Sequence, residues 1–308
     1  MKFFDRVPNI DFMAQRKTGL WVSSALTVAV ILLLAFRGLN FGIDFTGGVL
    51  VEVTYPQTVQ LDEVREHLKS AGYERETVQY FGTSQDVLIR LPPSKDSTAQ
   101  VSTRILEALN AQQENIQLRK IDFVGAQVGD ELTEKGAMAL IFAFIGIALY
   151  IMFRFEWKFS VGAVAALVHD ALMTLGFLSI FWTEFDLTTL AAILALIGYS
   201  NNETVVIYDR VRENLLSQRR ANIFEVVNLS INQTLLRSVI THLTTLLVLS
   251  ALFFMGGQSV HSFAVALMVG VVVATYSSIY ISTGLAILLG ISREDLLPPK
   301  DEAVDELP

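Results

Sequence analysis

A short polar sequence interrupts an apolar segment in the middle of the chain. Residues 187–208 are long enough to cross a membrane, yet Asn201, Asn202 and Glu203 stand together inside this segment. A carboxyl at the centre of a membrane helix costs about 2.5–3.5 kcal/mol on insertion scales, so its presence points to a function. Consecutive helical residues advance by about 100°, so residues 200–203 present polar groups around most of the helix. We therefore expect protein or a wet cavity to enclose this helix.

The composition indicates that this helix belongs to an integral membrane protein. The 308 residues are 52% hydrophobic and 18% charged, and the mean hydropathy is +0.47; ordinary soluble domains lie outside this range. The net charge of -8 argues against a nucleic-acid partner. The sequence contains no cysteine and no GxxxxGK[ST], HExxH or GxSxG motif. We therefore predict no enzyme activity, no metal and no cofactor, and expect any work to draw on an ion gradient.

Apolar segments along the chain predict a bundle of six transmembrane helices. The first segment follows Arg16 and Lys17 and lacks a small-residue cleavage site, so we interpret it as a retained anchor. The short loops around 183–186 and 255–261 contain no Lys or Arg, which predicts that both termini are cytoplasmic. The predicted spans are 18–36, 136–153, 160–181, 187–208, 234–255 and 262–289, with cytoplasmic segments at 1–17, 209–233 and 290–308.

One long polar stretch separates the first two predicted spans. Residues 37–135 are long enough for a separate domain, which the charge pattern places on the extracytoplasmic side. Their β-α-β-β-α-β pattern predicts an inserted ferredoxin-like α+β domain, a fold that by itself identifies no function. The predicted strands are 49–55, 76–82, 86–91 and 116–125, and the predicted helices are 61–72 and 97–113.

Glu203 has two readings. In the first interpretation, Glu203 is a protonated carboxyl that only bonds a neighbour. In the second, Glu203 binds and releases an ion as the site opens alternately to the two sides of the membrane. We favour the ion role, with Asn202 beside Glu203. Asp170, preceded by His169 near the middle of the third span, is either part of such a relay or a structural bond between helices.

Arg237 is the candidate partner of Glu203. Glu203 lies about 10 Å from the inner end of its span at 1.5 Å per residue, and Arg237 enters the next span at a similar depth, so we predict that they touch. The alternative is that Arg237 only reaches the inner surface by snorkelling. We interpret His242 as a packing or hydrogen-bonding residue. One face of this span carries a polar stripe formed by Thr234, Arg237, Thr241, Thr244 and Thr245.

Five long motifs follow one another along the chain. They are FGIDFTGG (41–48), FVGAQVG (123–129), VHDALMTLG (168–176), IGYSNNETVVIYDRVREN (197–214) and NQTLLRSVITHLTT (232–245). In sequence, order and position relative to the spans, they closely resemble the SecF members of the SecD/SecF family of protein-export membrane proteins.

The resemblance implies a resistance-nodulation-division type of transporter fold in the bacterial cytoplasmic membrane, surrounded by lipid. It implies a heteromeric complex with SecD that uses the proton or sodium gradient to promote export of unfolded polypeptide at the SecYEG translocon. It also implies ion-coupling roles for Glu203 and Arg237, with a further acidic residue supplied by SecD. The usual family pattern has an apolar residue, Asn and Asp, so Asn201 and Glu203 depart from it, and sodium stays open as the coupling ion beside H+.

We expect the segments around FGIDFTGG and FVGAQVG to couple the bundle to the outer domain. Asp44 lies in the first of them, and the glycines that allow tight turns are Gly42, Gly47, Gly48 and Gly125. Two other functions stay open. A self-sufficient proton-coupled exporter of small molecules would contain a ligand-sized apolar pocket, and a passive scaffold would only stabilise SecD.

Overall fold

Long helices account for most of the computed structural model, which describes residues 8–73, 76–93, 103–105, 107, 109–110, 115–218, 220–257 and 260–296. The helices are α1 (Arg16–Arg37), α2 (Ile43–Thr46), α3 (Leu61–Ser70), α4 (Ala126–Arg154), α5 (Trp157–Phe181), α6 (Leu187–Ser217), α7 (Ile223–Met255), α8 (His261–Ser277) and α9 (Thr283–Leu288). A π-helical turn, Ser278–Ser282, joins α8 to α9. Within the described residues, six helical segments are long and apolar enough to cross a membrane, with α8 and α9 forming the last one. The prediction of a membrane helical bundle is confirmed.

Several helices extend further than the apolar segments that predicted them. The segment 209–233, predicted as a loop, is mostly helical, because α6 continues to Ser217 and α7 begins at Ile223. Asn214 on α6 donates 2.8 Å hydrogen bonds to Ser230 Oγ and Gln233 Oε1 on α7. Helix α4 likewise begins inside the predicted outer domain. Hydropathy reports apolar length, whereas a helix continues as long as packing and backbone hydrogen bonds support it.

A four-stranded antiparallel sheet follows α1 in the chain. Its spatial order is β3-β4-β2-β5, and Val51 of β2 pairs with Ile89 on one side and Ile121 on the other. Alternate residues of β2 pack on Val64 and Leu68 of α3, as their period of two predicts. The strands are β1 (Asn40–Phe41), β2 (Gly48–Thr54), β3 (Thr77–Phe81), β4 (Thr83–Leu91), β5 (Gln117–Val124) and β6 (Glu184–Phe185).

The second helix predicted for this region, 97–113, lies mostly outside the described residues. The part that is described is helical, and its Ile105 and Leu109 are fully buried in the same core as β2.

Close packing holds α5, α6 and the π-helical turn together. The rings of Phe159 and Tyr208 meet edge to face with centroids 4.7 Å apart. The Tyr208 hydroxyl donates a 3.0 Å hydrogen bond to the Ser282 carbonyl. A Cβ on Gly162 would lie 2.5 Å from that carbonyl oxygen, so only glycine permits this approach of α5.

Candidate functional site

Glu203 lies inside the helical bundle with 7% of its surface exposed. Its Oε1 accepts a hydrogen bond from the Ser238 hydroxyl of α7. Its Oε2 lies 3.7 Å from Nε2 of His242, one turn further along α7. Nδ1 of His242 is in turn 2.7 Å from Oγ1 of Thr275 on α8. The carboxyl therefore lies between α6 and α7, next to the histidine that bonds α8, and does not face lipid.

The contacts of Glu203 suit both of its charge states. Ser238 Oγ lies within hydrogen-bonding distance of Glu203 and also 3.2 Å from the Thr234 carbonyl. A hydroxyl has one proton and can accept as well as donate. Ser238 donates to Glu203 when the carboxyl is charged. When the carboxyl is protonated, Ser238 can accept from it and donate to Thr234, so the hydrogen bond between Ser238 and Glu203 persists in either state.

The predicted contact between Glu203 and Arg237 is wrong. Arg237 is exposed on α7, whereas the next residue, Ser238, is buried and faces the carboxyl. The rise per residue predicts a similar depth for both residues but not the direction in which each side chain points. That direction turns around the helix axis by about 100° per residue. Ser238 and His242 are four residues apart and share a helix face, which is the signal that could have identified them. His242 does form the predicted kind of hydrogen bond and also neighbours Glu203.

The other predicted polar residues of α6 and α7 do not join Glu203. Asn202 and Thr244 are exposed, and Thr241 is half-buried. The hydroxyls of Thr241 and Thr244 donate to carbonyls of their own helix, at 2.8 and 2.9 Å. Thr245 accepts a 3.3 Å hydrogen bond from the Tyr199 hydroxyl of α6. Thr234, the first residue of the stripe, is buried and donates to carbonyls of its own helix. The stripe from Arg237 to Thr245 is exposed or half-buried, and its Thr245 contacts the neighbouring helix α6.

Asp170 forms a separate buried cluster at 1% exposure. Its Oδ2 accepts hydrogen bonds from Ser200 of α6 at 2.6 Å and from Ser277 of α8 at 2.8 Å. Its Oδ1 lies 3.2 Å from Nδ1 of His169. Asp170 therefore connects α5 to the same two helices, α6 and α8, that contribute to the Glu203 site.

The FGIDFTGG segment joins the sheet to the start of α6. β1 pairs in parallel with β6, and the Gly42 amide donates a 2.9 Å hydrogen bond to the Phe185 carbonyl. Asp44 Oδ2 accepts a 2.9 Å hydrogen bond from the amide of Leu187, the first residue of α6. Because an acceptor at a helix N-terminus satisfies a free backbone donor, Asp44 stabilises the start of the helix that carries Glu203.

The predicted glycines of this junction have different roles. Gly48 has φ +125°, and a Cβ there would lie 2.2 Å from the Leu91 carbonyl oxygen, so glycine is required. Gly47 also has positive φ, +67°. Gly42 and Gly125 have φ of -71° and -65°, which any residue adopts. Gly42 instead permits a close approach, since its Cβ would meet Glu184 Oε1 at 2.9 Å. Around Gly125 no atom of the described residues lies within 4 Å of an added Cβ, so the prediction that a tight turn needs glycine there is wrong.

These features define a multi-pass membrane protein with ionisable groups enclosed in its bundle, the class in which such groups mark ion pathways. Residues 104–292 match the family model described as protein export membrane protein SecD/SecF, C-terminal, and residues 32–59 match the SecD/SecF GG motif. The chain belongs to the SecF family of protein translocase subunits.

Similar proteins cover nearly the whole chain. The translocase subunit SecF of Pseudomonas aeruginosa is 45% identical over 98% of this chain and 99% of its own length. That of Vibrio alginolyticus is 43% identical over 97% of each. A crystal structure of SecDF from Thermus thermophilus, described as a translocon-associated membrane protein, is 34% identical with a TM-score of 0.84 over 92% of this chain. This chain spans 39% of that longer chain.

Proposed function

We propose that this chain is an accessory subunit of the Sec protein translocase that, with SecD, uses the proton or sodium gradient to promote protein export across the bacterial cytoplasmic membrane. The observation that carries this proposal is the buried Glu203 carboxyl, whose Ser238 contact serves both charge states. A group that takes up and releases a proton needs partners in each state. The SecF relatives favour this function over a self-sufficient exporter of small molecules.

Exposed polar residues support a membrane partner. Asn202 and Arg237 are exposed in the apolar parts of α6 and α7. Hydrocarbon solvates an amide or a guanidinium poorly, so another protein has to cover this surface. The SecDF chain that this chain resembles is more than twice as long, which fits SecD as the covering subunit. Arg237 then senses the charge of Glu203 through that interface and not by direct contact.

The outer domain is proposed to be ferredoxin-like and extracytoplasmic, with both termini cytoplasmic. The strand order β3-β4-β2-β5 with antiparallel neighbours supports this fold. In a split βαβ arrangement one strand lies between the two parallel strands of each unit, as β4 lies between β2 and β3 and β2 lies between β4 and β5. The distribution of Lys and Arg supports the orientation.

Movement of the outer domain is the proposed output. A second SecDF structure, in a super-membrane-facing form, covers 93% of this chain at the same 34% identity but with a TM-score of 0.70. The identity is the same and the coverage differs by one percentage point, yet the TM-score is lower than 0.84, which supports two conformations of the SecDF fold. In our proposal, the charge state of Glu203 shifts α6, and the junction at Asp44 passes the shift to the sheet that biases an emerging, unfolded polypeptide outward.

The test replaces Glu203 by Gln, which keeps the shape and removes the charge. The matched control is Glu213→Gln, because Glu213 lies on the same helix but is exposed and pairs with Arg210 at 2.6 Å. We expect E203Q to assemble with SecD but to lose gradient-driven export, and E213Q to behave like the unsubstituted protein. Separate proton and sodium gradients identify the ion. Undiminished export by E203Q would leave the passive scaffold as the better description.

A further inference from the structure

Arg90 of β4 connects the sheet to two segments at the outer end of the bundle. Its Nη2 atom lies 2.7 Å from Oε1 of Glu184 in β6. Its Nη1 atom donates to the Phe41 carbonyl at 2.9 Å and to Asn40 Oδ1 at 3.3 Å, both in β1. The two charged side chains are only 14% and 21% exposed. One guanidinium thus bonds strands β1 and β6 from a strand of the sheet.

Glu184 is placed close to the start of α6. It is two residues before Asp186, whose Oδ1 caps α6 by accepting from the Thr189 amide at 2.7 Å. Asn40 Nδ2 also donates a 3.0 Å hydrogen bond to the Trp182 carbonyl in the same loop. The loop that bears Glu184 is therefore held on both sides, by the α6 cap and by β1.

Aromatic packing reinforces the same junction. The rings of Phe41, Phe45 and Phe185 contact one another with centroids 5.6–5.9 Å apart. Burial raises the pKa of Glu184, and the positive charge of Arg90 opposes that rise. An ion pair in this position is costly to break from one side, because the remaining charge stays buried without a partner.

We propose that Arg90 is a positioning residue that clamps the sheet, through Glu184, to the N-terminal end of α6, so that the sheet and this helix move as one unit. The inference rests on the proposed function, since it adds a second link, beside Asp44, by which a shift of α6 reaches the outer domain. Arginine suits the role because its planar fork bonds a carboxylate and a carbonyl at once, which a lysine ammonium does less well.

The experiment compares Arg90→Gln with Arg90→Lys in the complex with SecD. Arg119→Gln is the matched control, because Arg119 lies in the same sheet but is 55% exposed, where an ion pair contributes little. Export and Glu203-dependent ion uptake are measured in the same membrane vesicles. We expect R90Q to lose export by about tenfold while retaining ion uptake, R90K to be intermediate, and R119Q to be unaffected.

A disulfide separates loss of coupling from loss of folding. Phe41 and Phe185 are paired positions of β1 and β6, and the chain contains no cysteine, so the double substitution F41C/F185C introduces a single thiol pair. We expect oxidation of this pair to restore export in R90Q and a reductant to abolish the restored activity. Disulfide formation in R90Q should also be slower than with Arg90 present.

Three results would overturn the clamp. The first is normal export by R90Q. The second is a loss of both ion uptake and export in R90Q, with neither restored by oxidation, and the third is an equal rate of disulfide formation with and without Arg90. If R90Q does not accumulate, the same measurements on R90K decide. If ion uptake by the unsubstituted complex does not depend on Glu203, the proposed function fails, and the rate of disulfide formation still tests the clamp.

Discussion

The Ser238 hydroxyl of α7 donates a hydrogen bond to Oε1 of Glu203 on α6. This contact lies beside His242, whose ring reaches both the carboxyl and Thr275 of α8. Glu203 of α6 therefore has two neighbours on α7, and His242 links them to α8, so a change of the Glu203 charge acts directly on α7 and, through His242, on α8. This arrangement leads to separate expectations for each neighbour.

Replacing Ser238 by Ala should impair gradient-driven export. The substitution removes a hydrogen bond to a charged group, which contributes about 1.5–3 kcal/mol. Ser250→Ala is the control, since Ser250 lies on the same helix and donates to a carbonyl of that helix, that of Leu246, 2.7 Å away. The measurement is export against the size of the imposed gradient. Equal curves for S238A and S250A would show that the Ser238 contact is not needed.

His242→Leu should reduce export more than it reduces stability. Leucine fills a similar volume but cannot form the hydrogen bond with Thr275, and it removes the imidazole ring that lies 3.7 Å from the Glu203 carboxyl. We expect export to fall by up to about tenfold, which corresponds to the loss of one hydrogen bond between neutral groups. Thermal unfolding of the purified protein and export assays are compared. Export at the unsubstituted level would assign His242 to packing alone.

Arg237→Ala should leave the stability of the isolated chain unchanged and still abolish export. Arg237 is exposed, so its removal breaks no packing within this chain, whereas the proposed interface with SecD needs its charge. Arg220→Ala, another exposed arginine, is the control. R237K should be partly active if charge alone matters and inactive if a forked contact forms. Full activity of R237A would remove Arg237 from the mechanism.

Gly48→Ala should destabilise the outer sheet. An added Cβ would meet the Leu91 carbonyl oxygen at 2.2 Å, and the φ of +125° is unfavourable for alanine. The left-handed conformation alone costs about 1–2 kcal/mol, and the steric overlap adds to it. Gly146→Ala serves as the comparison, because no atom of the described residues lies within 4 Å of that added Cβ. Limited proteolysis of the outer domain in the full-length protein should detect G48A and not G146A.

Asp86 should make the outer domain sensitive to acid. Hydrogen bonds from Thr54 at 2.6 Å and Thr83 at 2.7 Å, against the opposing effect of burial and with help from the Arg119 charge, lower the pKa of Asp86 from its ordinary value of 3.8. Since the folded pKa lies below the unfolded one, the charged carboxylate stabilises the fold at neutral pH. That contribution is lost as the pH falls below about 4.

Asp86→Asn should therefore be less stable than the unsubstituted protein at pH 7, by about 1–3 kcal/mol, with a difference that shrinks below pH 4. Thermal unfolding of the full-length protein at several pH values measures this. Asp62→Asn, at an 88% exposed side chain, is the control and should show little difference at any pH. A constant difference for D86N across the pH range would contradict the charge argument.

The sequence predicts the features that have a long or periodic signal. Six apolar segments of membrane length predict the helices, and the alternation at Val49, Val51 and Val53 predicts β2 with one buried face. The cost of a carboxyl in hydrocarbon predicts that Glu203 is enclosed, as it is. The local sequence and the properties of lipid and water are enough to predict the helices, the strand and the enclosed carboxyl.

The features that were missed depend on helix rotation or on very short elements. Arg237 faces away from Glu203 because packing among α6, α7 and α8 decides the rotation of α7, which hydropathy does not report. The two-residue strands β1 and β6 are too short to show a period, so the Arg90–Glu184 ion pair had no local signal. Contacts between distant segments need the tertiary structure.

The continuous extension of α6 past its apolar part makes it a lever. Ser217, its last residue, lies fourteen positions beyond Glu203, a length of about 21 Å at 1.5 Å per residue. A tilt of about 5° centred on Glu203 would displace this tip by about 2 Å, and the Asn214 bonds to α7 would carry the neighbouring helix with it. A change of one charge inside the membrane would thereby also displace the ends of α6 and α7 at the surface opposite the sheet.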